Sequence, residues 1–426
     1  MVTQSDQPTG ERFDLLLKGG HVIDPANGRD GVMDVAIAGG RIAAVERDLA
    51  PEQAEQVVDV TGLYVTPGLI DMHVHVYPQH FDISVVADAQ SFSSGITTMV
   101  DAGSAGAANF SDFVEQVVNR SKTRVLAFCN VVNLGMGGDF EQDVARMIPE
   151  SAAETVCAYP DVAVGVKLAH YWTWQPWDAT HAPWDNVERA VAAGELCSKP
   201  VMVDFWPRPP ERSYEDLLLQ KLRPGDIHTH VFAQQFPIVN ELGRPNELLF
   251  EARKRGIIFD LGHGAGSFWF RQAAPALEHG FCPDSISTDL HTGNAANGLV
   301  TNLLNAMSKL RNLGLSVQEL VERVTVAPAR EIGHPELGTL RVGAEADVAV
   351  LEEQQGRFAY IDCGRARMTG TRRLACRLTL RAGDVVYDPE GLTMPEWPDA
   401  PDAYWVCRAP AGAPVDWAPP VHPSLG

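Results

Sequence analysis

The run Val65-Thr66-Pro67-Gly68-Leu69-Ile70-Asp71-Met72-His73-Val74-His75 sets the frame for the rest of the chain. Pro67-Gly68 punctuates it, so a new element opens there. The apolar residues that follow read as a strand over residues 69–76. Successive side chains on a strand alternate faces, so His73 and His75 project from the same side. Neutral imidazole is a common ligand for zinc and related ions, and two on one strand supply half of a compact metal cluster.

Around that strand the composition is ordinary. The 426 residues suffice for one large barrel domain and a smaller one. A net charge of −21 argues against nucleic acid and against an anionic membrane surface as partners. The polar N-terminus has no apolar core of a signal peptide, and no apolar run approaches the roughly 20 residues that span a bilayer. Seven scattered cysteines without a Cys-x-x-Cys pair suit reduced thiols, hence a cytoplasmic location.

Residues 13–66 alternate short strands with Gly19-Gly20 and Gly39-Gly40 turns, a small sheet module. From residue 67 onward, strands and helices alternate. The expected strands cover 69–76, 96–100, 125–132, 162–168, 200–205, 226–232, 257–261 and 285–290. Helices are expected between them at 186–196, 246–255 and 300–313, and another opens at Ser316 with Glu319 completing a capping box. Eight such units make a (β/α)8 TIM barrel the natural closure, with the site at the C-terminal strand ends. After residue 337 the sheet pattern returns. Residues 389–426 are proline-rich with Trp397, Trp405 and Trp417, a tail expected to strap onto its own barrel or a neighbouring subunit.

Polar residues interrupt the expected strand ends. Lys167 stands in the apolar run Val164-Gly165-Val166-Lys167-Leu168, and lysine is rarely buried without a partner. Asp204 ends Val201-Met202-Val203. A second His-x-His, His228-Thr229-His230, lies on the sixth strand, and Asp289 and His291 close the eighth. On the seventh, His263 is flanked by Gly262 and Gly264, where backbone approaches a ligand closely. It is read as polarising a substrate carbonyl, with a structural histidine as the alternative.

Together these motifs resemble the amidohydrolase superfamily of metal-dependent hydrolases over residues 13–388, and more narrowly its amidohydrolase/deacetylase branch, relatives of dihydroorotase and the hydantoinases. The resemblance rests on Pro67-Gly68-x-Ile70-Asp71-x-His73-x-His75, the Lys167 strand, Gly225-Asp226-Ile227-His228-Thr229-His230-x-Phe232, Asp289, and the re-entry segment at 342–350. Asp101-Ala102-Gly103-Ser104, the strand carrying His263, and Ser287-Thr288-Asp289-Leu290-His291 favour the deacetylase side.

The resemblance implies a β-sandwich built discontinuously from 13–66 and 337–388 around a barrel at 67–336. It also implies two divalent ions, Zn2+ in the first instance, held by His73, His75, Lys167, Asp204, His230 and Asp289. Lys167 would be carboxylated and Asp289 would also shuttle protons. Asp204 stands where the family carries histidine, which favours a harder ion such as Mn2+ or else leaves Asp204 a supporting carboxylate. His228 is expected to be buried support. The loop after Lys167 departs from the family. With Trp172, Trp174, Trp177, Trp184, Trp206 and Trp269 it brings aromatics to the barrel mouth, so Trp172, Trp206 and His170 are candidate substrate contacts.

The expected function is hydrolysis of an amide or ester bond in a small N-acyl or O-acyl compound through metal-activated hydroxide, by a homo-oligomer. Alternatives are cyclic-amide opening and a mononuclear lyase or decarboxylase. A decayed, non-catalytic scaffold is disfavoured by five retained ligands of six.

Overall fold

The computed structural model describes residues 12–401, so Trp405 and Trp417 of the expected tail lie outside the described residues. Strands β1 (Phe13–Asp24), β2 (Arg29–Ala38), β3 (Arg41–Glu46), β4 (Ala54–Asp59) and β5 (Tyr64–Pro67) come first. The parallel strands follow: β6 (Leu69–Val74), β7 (Ile96–Gly106), β8 (Arg124–Asn130), β9 (Ala163–Leu168), β10 (Val201–Val203), β11 (Ile227–His228) and β12 (Ile258–Phe259). The chain ends with β13 (Val348–Ile361), β14 (Arg367–Arg381) and β15 (Asp384–Tyr387).

The two ends of the chain meet in one sheet. Its order is β15-β14-β13-β5-β1-β2-β3, with β4 pairing β1. β5 and β13 pair antiparallel, Val65 opposite Val350, which joins segments nearly 300 residues apart. Inward residues of both segments, among them Leu17, Val35, Val65, Val348 and Leu378, form a single apolar core. Hydrogen bonding makes this one continuous mixed sheet of eight strands, where the sequence suggested two stacked layers. After β15, Asp388 accepts from the backbone of Leu392 and Thr393 at 2.8 Å each, which turns residues 389–394 back along the sheet.

β6 to β12 form the second sheet, seven parallel strands in chain order. β6, β7 and β9 are buried along their whole length, as parallel strands covered on both faces must be. Helices lie between strands as expected. The helix Asp185–Cys197 buries Val187, Ala190, Ala193 and Gly194 at helical spacing. The helix Leu303–Asn312 starts later than the apolar pattern suggested, because the Asn302 side chain caps it by accepting from the Asn305 N–H. Ser316 and Glu319 form the expected capping box.

The later parallel strands are shorter than their apolar runs, and residues 285–290 form no strand. They make single parallel bridges, Ser285 to Asp260 and Leu290 to Val74, so one segment touches both edges of the sheet. The backbone gives the reason. His230 (φ +63), Gly262 (φ +46) and Asp289 (φ +49) are left-handed, a conformation that cannot continue a β ladder.

Candidate metal centre

These left-handed turns place the site. His230 and Asp289 are non-glycine residues held at positive φ, a cost tolerated where the surrounding structure dictates it, and one that clusters at functional sites. Asp289 Oδ1 lies 3.1 Å from His75 Nε2 and 3.5 Å from His73 Nε2. His73, His75 and Asp289 form a group whose ligand atoms all lie within 4.8 Å of one another. The His73 and His230 rings are 5.0 Å apart, and His230 Nε2 stands 3.5 Å from Asp204 Oδ2. Five of the six expected ligands are thereby linked in one chain of contacts. Lys167, on β9 beside Met202 of β10, is 1% exposed and feels Asp204 and Asp289 foremost among its charged neighbours.

The far ring nitrogens aim the near ones. His230 Nδ1 donates to the Gly262 carbonyl at 2.6 Å, so Nε2 is the ring nitrogen turned to the centre. His73 Nδ1 meets Thr229 Oγ1 at 2.9 Å, and that hydroxyl donates to Asp260 Oδ2 at 2.7 Å, which makes His73 Nδ1 a donor too. His75 Nδ1 pairs with Ser104 Oγ at 2.9 Å. Supporting bonds of this kind fix tautomer and orientation in metal sites. Gly262 is required: a Cβ there would stand 2.2 Å from Thr229 Oγ1. At Gly264 (φ +55) a Cβ would stand 2.6 Å from Asp289 Oδ2.

The electrostatics ask for positive charge. Burial opposes ionisation of Asp204, but His170 and His230 outweigh it and hold its carboxyl well below the usual range. Burial likewise works against a charged His230, yet Asp204 prevails and pushes it up to about 9. Asp204 Oδ1 is buried with no hydrogen-bond partner among the described residues. An orphaned carboxylate oxygen at Asp204 beside His230, next to the His73, His75 and Asp289 group, is a donor set that fits divalent cations. If Asp204 is a ligand, Asp204→Asn should weaken one metal far more than the other, and Asp204→His should keep two while shifting preference toward zinc over manganese. Metal titrations unchanged in Asp204→Asn would leave Asp204 a supporting group.

The remaining candidates sit differently. His263 is fully buried and stacks on Phe268 at 4.6 Å. Its Nδ1 is 3.0 Å from the Gly264 carbonyl and its Nε2 2.7 Å from Lys309 Nζ. With both nitrogens engaged, it has none left for a substrate carbonyl. The expected substrate role gives way to a structural one, anchoring the glycine turn against the helix Leu303–Asn312. His170, half-exposed, stands 3.4 Å from Asp204 Oδ2. Trp172 is stacked by His181 at 3.5 Å, Trp177 is covered by Arg208, and Trp184 stacks on Phe205. Packing therefore occupies these three rings, while Trp206 pairs edge-on with the exposed Trp174. His228 pairs with the Tyr214 hydroxyl at 2.9 Å inside an aromatic cluster, and His291 Nδ1 accepts from the Gly293 N–H.

Sequence reasoning did not assign Ser104, Thr229 and Asp260 as supports of the ligands. The signal was present, since each lies inside a motif already singled out, between or beside its charged residues.

A fold of this kind with a His-His-Asp cluster at the strand ends defines a candidate metallohydrolase. An amidohydrolase family profile matches residues 294–387. A deacetylase from Enterococcus faecalis is 30% identical over 379 residues, 88% of this chain and 99% of the relative. Among solved structures, an adenine deaminase aligns with a TM-score of 0.79 at 28% identity, covering 88% of this chain and 100% of that one. A dihydroorotase aligns at 0.76 and 28%, covering 88% and 99%. The chain belongs to the amidohydrolase superfamily. Among the described residues, no helix is long and apolar enough to cross a membrane.

Proposed function

We propose that this protein is a metal-dependent hydrolase that removes an acyl group from a small N-acyl or O-acyl compound. The observation that carries the reading is the convergence of His73 and His75 Nε2 on Asp289, with His230 Nε2 beside Asp204 and its ring 5.0 Å from that of His73. It is supported by similarity to a deacetylase across nearly that relative's whole length. We read the parallel sheet and its bridging segment 285–290 as a closed (β/α)8 barrel at residues 67–336. The composite sheet of 13–66 and 337–388 would be a separate domain.

Two divalent ions would be held by His73, His75, Lys167, Asp204, His230 and Asp289, with Lys167 as its carbamate. Zn2+ is the first expectation, and Mn2+ is favoured by Asp204. When bound, such ions lower the pKa of a water from 15.7 toward roughly 7 and polarise a carbonyl. The protein supplies orientation and the proton path. Thr229 and the Gly262 carbonyl hold His73 and His230 with Nδ1 as donor, and Ser104 orients His75. Asp289 Oδ1 faces His73 and His75. Its Oδ2, left clear because residue 264 has no Cβ, takes the water's proton and returns it to the leaving group. Among the described residues six cysteines are free, which suits a reducing, cytoplasmic setting.

The test is a hydrolysis screen across acylated amino acids, acylated hydroxy acids and cyclic amides, read with metal analysis of the purified protein. The expected outcome is acid release from an acyl compound with two ions per chain. One ion per chain with carbon dioxide released from substrate would replace this reading by the lyase one.

A further inference from the structure

Asp204 Oδ2 has two imidazole nitrogens beside it. His230 Nε2 stands at 3.5 Å and His170 Nε2 at 3.4 Å. The arrangement repeats that of Asp289 Oδ1, which has His75 Nε2 at 3.1 Å and His73 Nε2 at 3.5 Å. Each aspartate thus shares one carboxylate oxygen between two ring nitrogens. His170 stands close to Asp204 without bonding to it. Among the described residues its ring makes no hydrogen bond, to Asp204 or to any other group. Proximity without an aligned N–H is what two electron-pair donors show when both are turned toward a third point.

The backbone around His170 is pinned on both sides. Gln142 Nε2 donates to the His170 carbonyl at 3.1 Å, and Gln142 Oε1 accepts from the Trp172 N–H at 2.7 Å. The buried Arg212 donates to the Tyr171 carbonyl at 3.0 Å. Trp172 sits at φ +43, a left-handed conformation that a non-glycine residue keeps where its surroundings dictate it. Three consecutive residues are held by their main chain, and the one side chain left without a hydrogen bond reaches Asp204.

We propose that His170 is a ligand of the second ion, completing a His170, His230 and Asp204 set beside the His73, His75 and Asp289 set that would hold the first. Both sets then have the same composition, two imidazoles and one carboxylate, which suits zinc. Asp204 stands where histidine was expected, and the loop preceding its strand returns an imidazole to the centre. The second set is the more open of the two. Among the described residues only His73, His75 and Asp289 bring their ligand atoms within 4.8 Å of one another. The His170 side chain is 54% exposed, so it has the freedom to swing inward. His170 thereby leaves the group of substrate contacts in which its sequence position placed it. This rests on the two-ion reading of the centre and on nothing about the substrate.

The experiment counts ions without turnover. Full-length protein loaded with Zn2+, Mn2+ or Co2+ is titrated with a chelator, and the ions retained per chain are measured by mass spectrometry. The comparison covers the wild type, His170→Ala, His170→Gln and His181→Ala, with melting temperatures recorded. His181 stacks on Trp172 and pairs with Asp178, so its variant reports what disturbing the same loop does by itself. Both His170 variants are expected to keep the first Zn2+ and to hold the second more than about 100-fold more weakly, beyond the range that loss of a supporting group costs. Mn2+ at the second site should weaken less than Zn2+, because imidazole favours the softer ion. The Co2+ absorption spectrum should change in the His170 variants and not in His181→Ala. Unchanged retention of both ions in the His170 variants overturns the proposal. So does a weakening within 100-fold that is equal for Zn2+ and Mn2+, the mark of a supporting residue. A wild type that holds one ion overturns the proposal and the two-ion reading together. Two ions, the second dependent on His170, beside a failed hydrolysis screen would sink the hydrolase reading alone.

Discussion

His230→Ala is expected to lose bound divalent metal and activity together. The side chain contributes twice. Its Nε2 would be a ligand, held in the right tautomer by the Gly262 carbonyl at 2.6 Å. It also stands 3.5 Å from Asp204 Oδ2, whose other oxygen is already unpartnered among the described residues. Removing it strips a ligand and leaves a buried carboxylate less compensated, which costs more than the loss of a neutral contact. Loss of a group that merely supports a ligand lowers metal affinity or activity roughly 10- to 100-fold, so the loss here should exceed that range. Metal content by mass spectrometry, read beside turnover, checks it. His228→Ala is the control two residues away. It empties a pocket among Tyr214, Phe236 and Phe259 and should lower the melting temperature while leaving the metal in place. A His230→Ala protein that kept both metal and activity would remove His230 from the centre.

The contrast between His228 and His230 also marks what a sequence carries. Two histidines on one strand were expected to share a face, and His73 on β6 and His75 just beyond it do converge on Asp289. For the second His-x-His the expectation was a buried, supporting His228 beside His230, and the chain, left-handed at His230, directs the two rings to different surroundings. Backbone conformation of that kind is set by contacts far along the chain. Thr229 meets His73 across 156 residues and Gly262 meets His230 across 32. Short-range pattern registers the apolar strand but not where it stops. Lys167 was conspicuous because charge inside an apolar run is costly wherever the strand lies. His263 misled for the complementary reason. Glycines on both sides suggested an opening for a ligand, but the room is taken by Asp289, and Lys309 occupies the remaining ring nitrogen. The tryptophans followed the same course, since composition counts rings without showing that His181, Arg208 and Phe205 already cover three of them.

Lys167→Ala should abolish activity, and formate or acetate supplied with metal should restore part of it. The environment of the side chain gives the reason. Burial pulls the Lys167 ammonium below its usual value, against Asp204 and Asp289, which favour its charge. A lysine kept as a simple cation in such a place would be expected to pair directly. Among the described residues, though, no carboxylate oxygen lies within 4.0 Å of its Nζ. Its stem is fixed, because Gly103 (φ +83) presses so close that a Cβ there would stand 2.7 Å from Lys167 Cβ and Cγ. The fixed stem points a nitrogen into a group of carboxylates and imidazoles without giving it an anion to hold. A carbamate on that nitrogen would reverse its charge and bring two oxygens to the ions, the harder ligands such cations accept. Truncation to alanine would remove those oxygens and leave space that a short carboxylic acid can enter. Rescue should therefore follow the carboxylate: formate and acetate should work, and methylamine at the same concentration should not. Rescue by the amine alone would mean that the positive charge was the functional feature, and Lys167 would then leave the ligand set.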